Sequence, residues 1–159
     1  MQFFTDLFTN YHLMAVVFGW LIAQILKVFT GVFRQREFSL RAMFFGNGGM
    51  PSSHTAAVSA LMTAVAVTES VNSAIFAVSA LLCIIVMNDA TGVRRETGKH
   101  SRLLNRILEE RSENQTKENT TPIAIFRELM GHSPLQVFFG LVTGITVALL
   151  LSLLPWFGI

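Results

Sequence analysis

Two histidines of this chain stand where anions bind. His54 follows Pro51-Ser52-Ser53 and His132 precedes Ser133-Pro134, so each falls at the start of a run that reads as a helix. A helix N-terminus presents unpaired N–H groups and the positive end of the helix dipole, which suits a phosphate. An imidazole beside it adds a group that exchanges protons near neutral pH. Ahead of His54, the pair Gly48-Gly49 lets the backbone approach a ligand closely. Pro51 suits the first helical turn, and Ser52 or Ser53 suits its cap. Lys27 and Arg34 add positive charge and lie about two helical turns apart. The run Asp89-Ala90-Thr91-Gly92-Val93-Arg94-Arg95 supplies two more cations and a carboxylate, and Gln136 follows His132. Together these residue types make a site for binding a phosphate group and moving protons on it.

Each residue also has a purely structural explanation. Lys27 can snorkel to headgroups, Arg34 can anchor a helix end, Asp89 can pair with Arg94, and His132 can lie at a surface. The case for chemistry rests on their falling together, and on Lys27 being an ionisable group inside an apolar run.

The elements that must position them are membrane helices. Of the 159 residues, 52% are hydrophobic and 14% charged, against about 25% charged in soluble domains. Residues 11–33 contain Lys27 as their only charge, and 134–157 contain none. Each exceeds the roughly 20 residues that cross a bilayer core. Residues 52–69 and 72–89 read as a tight hairpin of two further spans. The expected fold is therefore an all-α polytopic bundle of about four transmembrane helices, forming one domain over 1–159. Residues 1–10 carry no Lys or Arg, which argues against a cleaved leader. Cys83 falls inside a span and reads as a small apolar packing residue.

All 12 Lys and Arg lie from Lys27 to Arg41 or from Arg94 to Arg127. With four spans these two segments share one side, which the positive-inside rule places in the cytoplasm. The cytoplasmic loop 90–133 contains Leu103, Leu104, Ile107 and Leu108 at helical spacing among charges. This predicts an amphipathic helix on the membrane or against the other helices. Residues 109–121 read as a polar linker, and 122–130 as a second short helix. Small residues four apart, Ala56/Ala60/Ala64 and Gly140/Gly144, suit close helix packing in lipid.

These motifs resemble the superfamily of type 2 phosphatidic acid phosphatases and vanadium haloperoxidases. Lys27-x6-Arg34 resembles its first motif, with Gln35 in place of proline. Pro51-Ser52-Ser53-His54 resembles its second, with Ser53 in place of glycine. His132-x3-Gln136 resembles the end of its third, with Gln136 in place of aspartate, and Arg127 stands one residue out of register before it. A divergent branch of bacterial and plant membrane proteins carries runs similar to Gly-Gly-Met-Pro-Ser-Ser-His and Asp-Ala-x-Gly-Val-Arg-Arg. The resemblance covers about residues 24–144.

The resemblance implies a metal-free hydrolase without cofactor, acting on a phosphate monoester or diphosphate through a phosphohistidine. His132 would be the nucleophile and His54 the acid for the leaving oxygen. Lys27, Arg34, Ser52, Ser53 and Arg94 or Arg95 would hold the phosphate. Asp89 would replace the missing carboxylate or organise the arginines, and Gln136 would orient the His132 ring. The expected partners are a phosphorylated lipid or small phosphate compound and the bacterial plasma membrane; no nucleic acid is expected, and a homo-oligomer is open. The alternative is a non-catalytic membrane protein that keeps the anion or headgroup site.

Overall fold

The computed structural model describes residues 2–32, 50–113 and 132–157, and all regular structure among them is helical. Six helices follow one another: α1 (Gln2–Thr9), α2 (Tyr11–Val32), α3 (Ser53–Glu69), α4 (Ala74–Thr91), α5 (Val93–Glu113) and α6 (Pro134–Ser152), with a 3₁₀ turn at Pro155–Phe157. Arg34, Arg127, Gly48-Gly49 and the short helix expected over 122–130 lie outside the described residues.

Polar side chains set most helix boundaries. Asn10 separates α1 from α2, and its side chain accepts from Leu13 N at 3.1 Å. Ser52 caps α3, Ser73 caps α4 and Ser133 caps α6. Two boundaries differ from expectation for this reason. Pro51 lies before the Ser52 cap instead of inside the first turn. The second hairpin span starts at Ala74, because Asn72 and Ser73 belong to the turn. That turn is closed by Ser73 N and Oγ donating to Ser70 O at 3.2 and 2.9 Å. The last helix ends at Ser152, ahead of Pro155, and α5 runs through Glu113 where the sequence reads as linker.

The burial pattern is that of a membrane protein. The buried apolar side chains include Ala15, Ala23, Ala56, Ala60, Ala64 and Ala148, and the largest fully buried ones are Thr55, Ser52, Ser53 and Ser59. Phe29, Ile75, Val78, Leu81, Phe138 and Leu150 point outward instead. Small residues inside let backbones approach, while lipid solvates the large ones outside. Among the described residues three helical stretches are long and apolar enough to cross a membrane: Tyr11–Thr30, the stretch beginning at Ala74, and Pro134–Ser152. α3 has 17 residues, about 25 Å at 1.5 Å per residue. It forms the centre of the bundle, packed on α2, α4 and α6.

The α3–α6 contact is the tightest in the bundle. A Cβ on Gly140 would lie 2.5 Å from Ser52 O, and one on Gly144 would collide with Ser59 Oγ and Ala56 O. At this separation Ser59 Oγ donates to Leu141 O at 3.3 Å and Ser52 N to Gln136 O at 2.9 Å. The two helices therefore run in the same direction with their N-termini side by side. α2 runs against them: Tyr11 OH, at its start, donates to Ala148 O near the end of α6 at 2.8 Å.

Candidate functional site

Lys27 and the starts of α3 and α6 meet at one end of the bundle. Two helix N-termini point there together, and the first-turn N–H groups of each have no acceptor within their own helix. α2 brings Lys27 to the same place from the opposite direction. Lys27 is 8% exposed, and its Nζ donates to Ser53 Oγ at 3.1 Å. Among the described residues no carboxylate pairs with it. A buried ammonium held only by a hydroxyl is poorly compensated, and an anion beside it would supply the missing charge. One turn earlier on the same helix, the buried Gln24 Oε1 has no hydrogen-bond partner among the described residues.

His132 is also 8% exposed. Its backbone N–H donates to Ala90 O at 3.1 Å, tying the entry of α6 to the end of α4. Ser133 and Gln136 form a capping box at the head of α6. Ser133 N donates to Gln136 Oε1 at 2.8 Å. A backbone N–H can only donate, so the atom facing it is the amide oxygen. His132 Nδ1 lies 3.2 Å from that same oxygen, and oxygen only accepts. Nδ1 therefore carries the proton, and among the described residues the Nε2 lone pair has no hydrogen-bond partner. The capping box thus fixes the tautomer of His132 as well as starting the helix.

Burial, the largest influence, holds the His132 pKa below the ordinary imidazole value of about 6.5. The bond to Gln136 opposes this, and the positive charges of Lys27, His54 and Arg94 reinforce it. His132 is therefore neutral at neutral pH, the form with a nucleophilic nitrogen. Lys27 reaches the head of α3 through Ser53, and that head meets the head of α6 through Ser52 N and Gln136 O, so Lys27, His54 and His132 stand at one end of the bundle.

The remaining residues divide by what they touch. His54 is exposed at the mouth of the site. Ser52 and Ser53 are 0% and 2% exposed. The Ser52 hydroxyl accepts from Thr55 N and Oγ1 at 3.4 and 3.0 Å, and the Ser53 hydroxyl faces Lys27. Asp89 is ion-paired to Arg94 Nε across the α4–α5 junction. Of its two expected roles, the structure places it on the arginine. Arg94 is the arginine whose charge reaches His132, while the charge of Arg95 acts on Glu96.

Sequence reasoning missed Gln24 and Thr30. The Thr30 hydroxyl donates to Met50 O, which ties the segment before Pro51 to the end of α2. A usable signal existed: Gln24, Lys27 and Thr30 recur every three residues, one polar stripe in an otherwise apolar span.

Two effects of Gln136 substitutions are expected from this geometry on the phosphatase reading proposed below. Gln136→Leu deletes the acceptor, frees the tautomer and should lower turnover about a hundredfold or more. Gln136→Glu keeps the cap and adds a charge that favours the imidazolium. The folded His132 pKa then rises, so the acid limb of kcat/KM moves to higher pH. In the unsubstituted protein that limb should lie below the ordinary histidine range, because burial disfavours the protonated ring. A pH–rate series on the three proteins checks both expectations.

Residues 8–147 match the family described as the divergent PAP2 family. An uncharacterized membrane protein of Bacillus subtilis (strain 168), YuiD, is 37% identical over 154 residues, covering 92% of this chain and 97% of its own length. No solved structure matches the chain.

Proposed function

The chain belongs to the divergent PAP2 family, and from that premise we propose that it is a membrane phosphatase working through a phosphohistidine. One observation carries the reading: His132 is held as a neutral Nδ1–H tautomer, with Nε2 unpartnered among the described residues, at the bundle end where Lys27 meets the head of α3. In the first step Nε2 attacks phosphorus and the bond to the leaving oxygen breaks, while His54 gives that oxygen its proton. In the second, His54 takes a proton from water as the water oxygen attacks phosphorus. The N–P bond breaks, inorganic phosphate leaves and both histidines return to their starting forms. Lys27, Arg94 and the helix N-termini stabilise the charge on the phosphoryl oxygens. Arg34 joins them in this proposal by its motif position.

The substrate proposed is a lipid-linked phosphate monoester or diphosphate, because a site at the end of a membrane bundle meets headgroups first. The distribution of Lys and Arg supports a site facing the cytoplasm across a bacterial plasma membrane. A second reading is a non-catalytic anion or headgroup site. Its support is the neutral Gln136, which accepts a hydrogen bond but stabilises an imidazolium less than a carboxylate does.

Phosphate release from phosphatidate, phosphatidylglycerophosphate, isoprenyl diphosphate and a soluble aryl phosphate, assayed with protein in detergent, separates the two readings. Release above that of a His54→Ala/His132→Ala double variant supports the enzyme. Equal release on all four, with phosphate binding retained, supports the binding protein.

A further inference from the structure

α5 is amphipathic, yet it buries the wrong face for a helix that only completes a bundle. Gly98 and Asn105 are buried and Ser101 is half-buried. Val93, Leu103, Leu104 and Ile107 are 68%, 58%, 45% and 49% exposed. At 3.6 residues per turn these four share one side of the helix, and the inward side is small and polar apart from Leu108, which is half-buried there. Beside the apolar stripe runs a second one. Arg95, Lys99, Arg102 and Arg106 recur at helical spacing and are all exposed. Over residues 93–108 the only acidic residue is Glu96, paired to Lys99 at 2.6 Å; one turn on, Glu110 pairs with Arg106 at 3.4 Å, both pairs being solvent-exposed and open to exchange for a phosphate.

The helix is also tethered where a bilayer surface must be. It follows directly on α4, whose stretch from Ala74 is apolar enough to span. Gly92 interrupts the two with ψ −93, outside the helical region, and the Asp89–Arg94 ion pair bridges the break. An apolar stripe with a basic stripe along its edge is the pattern of a helix lying in a lipid interface. The basic stripe selects the lipid, since anionic headgroups attract Lys and Arg next to the surface.

We propose that α5 docks on anionic phospholipid of the leaflet around the site, with Leu103, Leu104 and Ile107 in the acyl boundary and Lys99, Arg102 and Arg106 on the headgroup phosphates. This helix would concentrate anionic lipid beside the mouth that Arg94 and His54 line. The docking does not depend on turnover and is tested without it.

The test uses the full chain with Cys83→Ser and single nitroxide labels at positions 103, 107 and 102, in nanodiscs of phosphatidylcholine with or without phosphatidylglycerol. With phosphatidylglycerol present, labels at 103 and 107 should be reached by oxygen more than by an aqueous nickel chelate, and the label at 102 the reverse. Removing phosphatidylglycerol, or introducing Lys99→Gln/Arg102→Gln/Arg106→Gln, should move 103 and 107 severalfold toward the aqueous reagent. A thermal melt equal to that of the parent shows that the triple variant is folded. Aqueous exposure of 103 and 107 in the anionic nanodiscs overturns the proposal, as does protection that is the same in both lipids. Dipolar broadening between labels at 103 would assign the face to a second copy of the chain and also overturn it.

Discussion

His132→Ala is expected to lower phosphate release by at least about a thousandfold, while His54→Ala lowers it about a hundredfold on a lipid phosphate. The two losses should respond differently to the leaving group. An aryl phosphate departs without a proton, so on that substrate the His54→Ala deficit in the first step, read as the burst of phenolate release, should shrink to a few-fold, while hydrolysis of the phosphohistidine, which also needs His54, stays slow. The His132→Ala deficit should persist, because nothing else forms the bond to phosphorus. The backbone bond from His132 N to Ala90 O survives either side-chain change, and thermal unfolding in detergent should show both variants folded. If both histidine variants lose the first-step burst equally on both substrates, the division of labour between nucleophile and acid is wrong.

The second large effect is structural. Gly144→Ala is expected to destabilise the bundle by about 3 kcal/mol or more, at the upper end of overpacking. Its Cβ meets the Ala56 carbonyl and the Ser59 hydroxyl, and a backbone atom cannot rotate away. α3 must shift, and the Ser52 N to Gln136 O bond that holds the two helix starts together lengthens with it. Gly140→Ala acts on Ser52 itself and should follow closely. Gly19→Ala sets the scale, since its Cβ would be 3.0 Å from Ala56 O and Ala60 Cβ and asks for a smaller adjustment. Adding Ser59→Gly to Gly144→Ala should recover part of the loss, because it removes the nearest of three obstacles and leaves the Ala56 carbonyl and the Ala60 amide. Melting temperatures of the series, with activity measured beside them, check the order Gly144, Gly140, Gly19.

The same residues show what was readable beforehand. The membrane bundle was legible because long uncharged runs have few other solutions. Motif order and spacing placed Lys27, His54 and His132 together, and the contacts of Lys27 with Ser53 and of Ser52 with Gln136 put the three helix ends that carry them side by side. The close α3–α6 contact was legible in kind, from Gly140 and Gly144 four apart. Its consequence was not: that those glycines set the distance at which Ser52 N meets Gln136 O is a property of two helices far apart in sequence. The tautomer of His132 was hidden for a related reason. A glutamine in place of an aspartate reads as a loss, until the capping box fixes which way its amide points. Asp89 carried two readings, and only packing across the α4–α5 junction chose Arg94 for it. The inward face of α5 was the hardest to foresee. Its apolar periodicity predicts a helix, but periodicity alone does not say whether lipid or protein covers it.

The central claim is that Nε2 of His132 takes the phosphoryl group. The most direct measurement is a rapid-quench experiment with a radiolabelled aryl phosphate, followed by location of the label. The account predicts label on His132, stable to base and lost in acid, absent from His132→Ala. In Gln136→Glu the label should build up further, because the added charge stabilises the phosphorylated ring. Turnover with no label on any residue would mean that water attacks phosphorus directly, and would contradict the account.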